Sequence, residues 1–161
     1  MYRILKWLLT LGMVLSIGLT ACAPAAEAPV ATEAPVVTQA PVAPPILTVK
    51  GLVNQELNLA EADLQAMGPV TLTLEHPKNG PTEYTGVRLS TLMEKAGLAE
   101  GAGALLITAS DGFSYEAPLA DLQACADCLI AFADGKLNMA MPGMSSKAWV
   151  KDVVTLELTG G

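Results

Sequence analysis

Apolar and polar side chains alternate along several stretches in the C-terminal part of the chain, which is the pattern of half-buried β-strands. Residues 70–75 are the clearest case, because Val, Leu and Leu alternate there with Thr, Thr and Glu. Further strands are predicted at residues 46–53, 105–108, 113–115, 129–132, 137–141 and 149–158. The dipeptide Asp111-Gly112 is typical of a turn and is predicted to join the two strands that flank it.

Three short helices are predicted between these strands, at residues 60–67, 90–96 and 119–124. Ser90 is the expected N-cap of the second helix, and Gly97 is expected to end it. Several strands with two or three short helices predict an α+β domain with a mixed β-sheet core. Residues 46–161 contain all of these elements and suit one domain with a single core.

Residues 22–45 differ from this domain in composition. They are rich in Ala and Pro, and Ala-Pro-Val recurs with a period of six at residues 28–30, 34–36 and 40–42. Proline removes a backbone donor and disfavours both helix and sheet, so a semi-rigid spacer is expected, with a reach on the order of 70 Å. A proline-rich ligand for another domain is the alternative interpretation.

The first 21 residues have the pattern of an export signal. Two basic residues are followed by an apolar run at 7–19, which is shorter than the ~20 residues of a membrane span. Leu19-Thr20-Ala21 directly before Cys22 resembles the lipobox of bacterial lipoproteins. This resemblance implies cleavage before Cys22, a lipid on Cys22, and attachment to the cell membrane on its extracytoplasmic side. An ordinary signal peptide followed by an incidental cysteine is the alternative.

Charge narrows the range of partners. The chain has 9 Lys and Arg against 16 Asp and Glu, and the loss of Arg3 and Lys6 with the signal would leave a net charge of about −9. Such a chain is repelled by phosphate backbones, which argues against a nucleic-acid partner. Membrane attachment is therefore expected through the lipid.

The pair Cys125 and Cys128 has four possible interpretations. Export favours a disulfide that closes a tight loop, and this is the preferred interpretation. A redox dithiol would need a thiolate at a helix N-terminus, and a zinc site would need a second pair of ligands. Two reduced thiols packed in the domain remain the other alternative.

Methionine and histidine supply the remaining candidate chemistry. Met139, Met141 and Met144 have a spacing that would suit Cu(I), although residues two apart on a strand are also expected to share a buried face. His76 is the only histidine in the sequence and ends a predicted strand before Pro77. A histidine without partners is more often a turn residue than a metal ligand.

A series of short motifs resembles the molybdopterin-binding domain of sulfite-oxidase-type oxidoreductases. The series includes Tyr84-Thr85-Gly86-Val87, Asp111-Gly112-Phe113 and Trp149-Val150-Lys151. The matching steps occur in consistent order at residues 49–53, 59–67, 84–97, 111–113, 129–137, 142–143 and 149–153. The resemblance implies a minimal version of that fold, and molybdopterin as a cofactor by resemblance alone.

The sequence departs from this family where the metal would bind. Catalytic members carry a molybdenum-ligating cysteine after the third strand, and residues 74–80 contain none. The Pro-x-Arg step that contacts the pterin is also absent, and Arg88, Lys147 and Lys151 are the only cations expected near the cleft. The resemblance therefore implies a retained fold without its catalytic metal.

These observations predict a membrane-anchored module that binds an unknown small ligand or an exported protein, rather than an enzyme. The residues expected around its cleft are His76, Tyr84, Arg88, Asp111, Phe113 and Tyr115. One alternative is a functional molybdopterin-dependent oxidoreductase or redox-chain component. Two others are Cu(I) binding through the three methionines and a stalked scaffold without a ligand.

Overall fold

The computed structural model describes residues 43–161. The predicted signal segment, Cys22 and the predicted linker up to residue 42 lie outside the described residues, so their assignments stay predictions. Between residues 43 and 161, no helix has both the length and the apolar character needed to cross a membrane.

The described chain contains nine strands and three short helices. The strands are β1 (Leu47–Gly51), β2 (Leu57–Leu59), β3 (Val70–His76), β4 (Gly80–Arg88), β5 (Ala102–Ala109), β6 (Ser114–Pro118), β7 (Leu129–Ala133), β8 (Lys136–Ala140) and β9 (Val153–Gly160). The helices are α1 (Glu61–Gln65), α2 (Leu89–Ala96) and α3 (Leu119–Ala124).

These strands form two sheets. The larger sheet has the order β2-β1-β9-β5-β6, and its β1 and β9 run parallel while its other neighbours are antiparallel. The smaller sheet, β3-β4-β7-β8, is antiparallel throughout. The predicted α+β class with a mixed sheet and short helices is therefore confirmed.

One hydrophobic core takes side chains from both sheets and from all three helices. Each fully buried aliphatic side chain contributes roughly 1.5–3 kcal/mol of hydrophobic free energy. The largest side chains with almost no exposure are Leu47, Leu64, Leu89, Leu92, Leu105, Ile107, Leu129, Ile130, Leu137, Met139, Met141 and Leu156.

Gly86 marks a close approach between β4 and β7. Its pairing partner is Ala131, and a Cβ atom at position 86 would lie 2.1 Å from the carbonyl oxygen of Ile130. Only glycine avoids that collision with the neighbouring backbone. This contact supplies a physical reason for glycine in the Tyr-x-Gly-Val step.

Two strands, β2 and β4, were missing from the sequence-based prediction. Gly80 and Pro81 are typical of turns, so the sequence predicts a turn there rather than the start of a strand. The structure pairs Pro81 with Glu75 of β3, whereas β7 pairs with β4 only from Gly86 onward. Proline is tolerated at position 81 because its missing N–H lies where β4 has no second neighbour.

The prediction of Ser90 as the N-cap of α2 was wrong. The helix begins at Leu89, its N-cap is Arg88, and no side chain caps it. The backbone N–H of Leu89 instead donates to the carbonyl of Cys128 at 2.9 Å. A carbonyl from the loop before β7 therefore satisfies the first free donor of the helix.

The last strand begins later than predicted. Residues 149–158 were expected to form it, but β9 covers Val153–Gly160. Asp152 directly precedes β9 and has a φ of 53°. This left-handed conformation is incompatible with an extended strand, so the strand starts only after it. Trp149 consequently lies in the segment between β8 and β9, residues 141–152, which is called the covering segment below.

Candidate functional site

His76 is the last residue of β3 and pairs with Gly80 across the hairpin that leads into β4. Its ring Nδ1 accepts hydrogen bonds from the backbone N–H groups of Lys78 at 3.1 Å and Asn79 at 3.2 Å. A neutral imidazole whose Nδ1 is an acceptor carries its proton on Nε2. His76 is therefore arranged to donate from Nε2, whereas a metal ligand would need a lone pair there.

Trp149 packs over this end of the small sheet. Its ring lies 4.7 Å from the His76 ring in an edge-on arrangement and 5.5 Å from the Tyr84 ring. The residue is only 8% exposed, and among the described residues its indole Nε1 has no hydrogen-bond acceptor. Trp149 thus attaches the covering segment to β3 and β4.

A small pocket opens beside these two rings and is called the His76 pocket. Its volume is about 180 Å³. Its lining consists of His76, Lys78, Asn79, Ser146, Trp149 and Lys151. Hydrogen-bond donors and cationic groups dominate this lining, and no carboxylate belongs to it.

A larger pocket, called the disulfide pocket, uses other residues of the covering segment. Its volume is about 450 Å³, and its walls include Tyr115, Asp121, Cys125, Met144 and Ser145. Ser145 belongs to this pocket and Ser146 to the His76 pocket. The covering segment therefore contributes to both pockets.

The six residues predicted around one cleft are distributed over separate places. His76 and Tyr84 both contact Trp149, whereas Tyr115 lines the disulfide pocket. Phe113 is 47% exposed, and its N–H donates to the carboxylate of Asp111 at 2.9 Å. These two residues form the β5–β6 turn and line neither pocket.

Arg88 has a structural partner of its own. Its guanidinium contacts the carboxylate of Asp127 at 3.0 Å and donates to the carbonyl oxygen of Ala126. Cys125 and Cys128 are joined by a disulfide that encloses these two partners. Arg88 therefore holds the disulfide loop against the end of β4.

The three methionines do not share one environment. Met139 and Met141 are 1% and 0% exposed, which is the burial of core side chains. Met144 is half-buried and lines the disulfide pocket. Two of the three thioethers are thus enclosed by the hydrophobic core rather than presented to an incoming ion.

The described residues do not fit a molybdenum centre held by a cysteine thiolate. Both cysteines between residues 43 and 161 are in the disulfide, so neither presents a thiolate. Over the same residues, no three His, Cys, Asp or Glu side chains converge as a metal site. The position expected for the ligating cysteine instead carries the His76 hairpin.

A second polar cluster joins the two sheets at the start of β9. The carboxylate of Asp152 accepts from Ser110 Oγ at 2.6 Å and from Lys136 Nζ at 2.5 Å. Its backbone N–H donates to Asn138 Oδ1 at 2.9 Å. Hydrogen bonding by Lys136, and then by Ser110, lowers the pKa of the Asp152 carboxyl below its ordinary value. The cluster connects β5 and β9 with β8.

Sequence reasoning missed Trp149 as a site residue. It was placed in a strand, and its position after Ser145, Ser146 and Lys147 offered no periodic signal. Its rarity was the available signal, since the sequence has two tryptophans and the other, Trp7, lies in the predicted signal. Lys78, Asn79 and Ser146 gave no signal of their own.

Comparison with known proteins finds similarity to a solved structure but no matching sequence family. No protein-family model matches the sequence, and no curated protein matches it significantly. Among solved structures, the chain is similar to one in the crystal structure of the sulfane dehydrogenase SoxCD from Paracoccus pantotrophus, with a TM-score of 0.53 and 23% identity. The likeness is one of fold. It covers 70% of this chain and 37% of that chain, so this chain spans well under half of that structure's length.

Proposed function

We propose that this protein is a membrane-anchored extracytoplasmic lipoprotein whose domain is a reduced, non-catalytic relative of the molybdopterin-binding fold. In this proposal the domain binds a small ligand. The sequence pattern of residues 1–22 supports the anchor. The fold similarity to a sulfane dehydrogenase supports the relationship to oxidoreductases at the level of fold.

The His76 hairpin is the observation that carries the non-catalytic part of the proposal. The family resemblance expects a metal-bound thiolate in residues 74–80, and these residues contain no cysteine. His76 stands there with Nδ1 occupied by two backbone donors. A side chain arranged in this way suits hydrogen bonding to a ligand rather than coordination of a soft metal.

The two pockets beside the covering segment support a binding role. At about 450 Å³, the disulfide pocket falls within the roughly 300–1,000 Å³ that small-molecule sites occupy. The separate His76 pocket adds cationic and hydrogen-bonding groups. Fold alone does not define a ligand, so the proposal depends on these sites.

Native mass spectrometry of the mature protein from a molybdenum-replete host tests this function. The expected spectrum shows the intact disulfide and a small-molecule adduct without molybdenum. Molybdenum near one atom per chain would instead establish the alternative of a molybdopterin-dependent oxidoreductase. A stable complex with another exported protein and no adduct would replace the small ligand with a protein partner.

The anchor is tested at Cys22. Mass spectrometry of the N-terminal peptide is expected to find a lipid on Cys22, and Cys22→Ala is expected to abolish lipid addition. Lys95→Ala, a change on exposed α2 surface, serves as the matched variant that keeps normal processing. An unmodified Cys22 in the wild-type protein would leave an ordinary export signal as the explanation.

A further inference from the structure

We propose that the His76 pocket binds a compact anion that carries a single carboxylate or oxyanion group. This inference rests on the proposed binding function and names its ligand class. It depends on the distribution of cations, the proton on His76 and the size of the pocket.

The cations of the domain are unevenly distributed. Lys50, Arg88 and Lys136 each form an ion pair with a carboxylate. Among residues 43–161, the cations that form no ion pair are Lys78, Lys95, Lys147 and Lys151. Two of these four, Lys78 and Lys151, line the His76 pocket together. In a chain of net charge −7, a pocket with two unneutralised cations and no carboxylate favours an anion.

The hydrogen bonds of His76 point to the same ligand class. Because its Nδ1 accepts from Lys78 and Asn79, the neutral ring keeps its proton on Nε2. Among the described residues, Nε2 makes no hydrogen bond. The side chains of Asn79 and Ser146 supply further donors in the same lining. An anion accepts from each of these groups, whereas a cation would meet mainly donors.

Trp149 forms one wall of the His76 pocket. Its indole Nε1 is buried, and no acceptor among residues 43–161 reaches it. A buried donor without an acceptor is unfavourable. Trp149 also lines the His76 pocket, so an anion bound there lies against the one ring whose fluorescence can report on its binding.

Size and net charge restrict the anion to a small one. The pocket volume of about 180 Å³ lies below the roughly 300 Å³ at which drug-sized sites begin. Long polyanions are repelled by the acidic chain as a whole, while the lysines of the pocket act over short distances. The pocket volume and the acidic chain therefore restrict the ligand to a small anion with one charged group.

The test uses the mature lipoprotein purified in nonionic detergent, with the fluorescence of Trp149 as its reporter. Phosphate, sulfate and acetate are titrated separately at constant ionic strength set with chloride, so that tetrahedral and planar head groups are compared. Saturable binding of at least one of the three is expected. The double variant Lys78→Gln plus Lys151→Gln is expected to weaken it by about tenfold or more. Lys95→Gln, which removes an exposed cation away from the pocket, is expected to leave the affinity unchanged.

Two results would overturn this inference. The first is the absence of saturable binding for all three anions, and the second is equal affinity in the wild-type protein and the double variant. Native mass spectrometry of the same preparations reports separately on the proposed function. An adduct retained by the double variant would leave a binding function in place and assign the ligand to another site, whereas bound molybdenum would overturn the function itself.

Discussion

His76 and Trp149 meet edge to face, with ring centroids 4.7 Å apart and ring planes inclined by 66°. His76 ends β3, and Trp149 belongs to the covering segment before β9, so the contact joins parts of the chain that are distant in sequence. Aromatic pairs of this geometry contribute roughly 0.5–1.5 kcal/mol beyond the burial of their surface. The contact holds one wall of the His76 pocket in place.

Trp149→Phe is expected to lower the free energy of unfolding by less than about 1 kcal/mol. The smaller ring loses packing, but the change also removes a buried donor without an acceptor, and the two effects oppose each other. Trp149→Ala, which loses both the ring and its contacts, is expected to cost about 3–5 kcal/mol. Urea unfolding measures both. A cost above about 2 kcal/mol for the phenylalanine variant would mean that the indole N–H has a stabilising partner.

Gly86→Ala is expected to destabilise the domain by about 3 kcal/mol or more, because the new Cβ would collide with the Ile130 carbonyl, a backbone atom of β7. Gly112→Ala is the matched control. Gly112 has a φ of 87° and no atom near its added Cβ, so only backbone strain of about 1–2 kcal/mol is expected. Thermal unfolding of the two variants compares the cost of the steric collision at position 86 with the cost of backbone strain at position 112. Equal losses would contradict the close approach of β4 and β7.

Asp152 is expected to make stability depend on pH in the acid range. Its pKa is lowered in the folded protein, first by Lys136 and then by Ser110, so folding favours the ionised carboxylate. The resulting stabilisation is complete above the unfolded-state pKa and is lost as pH falls through the folded-state pKa. Asp152→Asn should remove this contribution to the change of unfolding free energy with pH.

Lys136→Met provides the second variant for that measurement. It removes the largest cause of the pKa shift while leaving the carboxylate in place. The slope of unfolding free energy between about pH 5 and pH 2 is expected to become shallower in both variants. An unchanged slope in both would show that the Asp152 cluster does not act in this way.

Reduction of the Cys125–Cys128 disulfide is expected to lower stability by about 2 kcal/mol, as loop closure in the unfolded chain predicts for a short loop. Urea unfolding with and without a thiol reductant measures the effect. The double variant Cys125→Ala plus Cys128→Ala should be insensitive to reductant. If the wild-type protein is equally insensitive, the pair does not form a stabilising bond.

Local patterns predicted much of the secondary structure correctly. The alternation at residues 70–75 became β3, and residues 119–124 became α3 with the predicted bounds. Pattern was insufficient for β4, whose Gly80 and Pro81 are turn residues by composition. Pairing with β3 made that stretch a strand, and such pairing depends on residues elsewhere in the chain.

The candidate site was less predictable than the fold. Turn composition indicated a turn after His76, but not the strand β4 that makes it a hairpin. The hydrogen bonds to the ring Nδ1 depend on where that turn places Lys78 and Asn79. The approach of Trp149 depends on the left-handed residue Asp152, which delays the start of β9 until Val153. Neither effect produces a periodic pattern in the sequence.

The sequence by itself determined the α+β class, the acidic charge, and the absence of a cysteine in residues 74–80, because these follow from residue type and short-range periodicity. It also supports the predicted lipid anchor and linker, which stay predictions. Tertiary structure alone decided that Trp149 covers His76, that Lys78 and Lys151 line one pocket, and that Tyr115 lines another. Those contacts join residues far apart in the chain, and their geometry is set by strand pairing and core packing rather than by local residue preference.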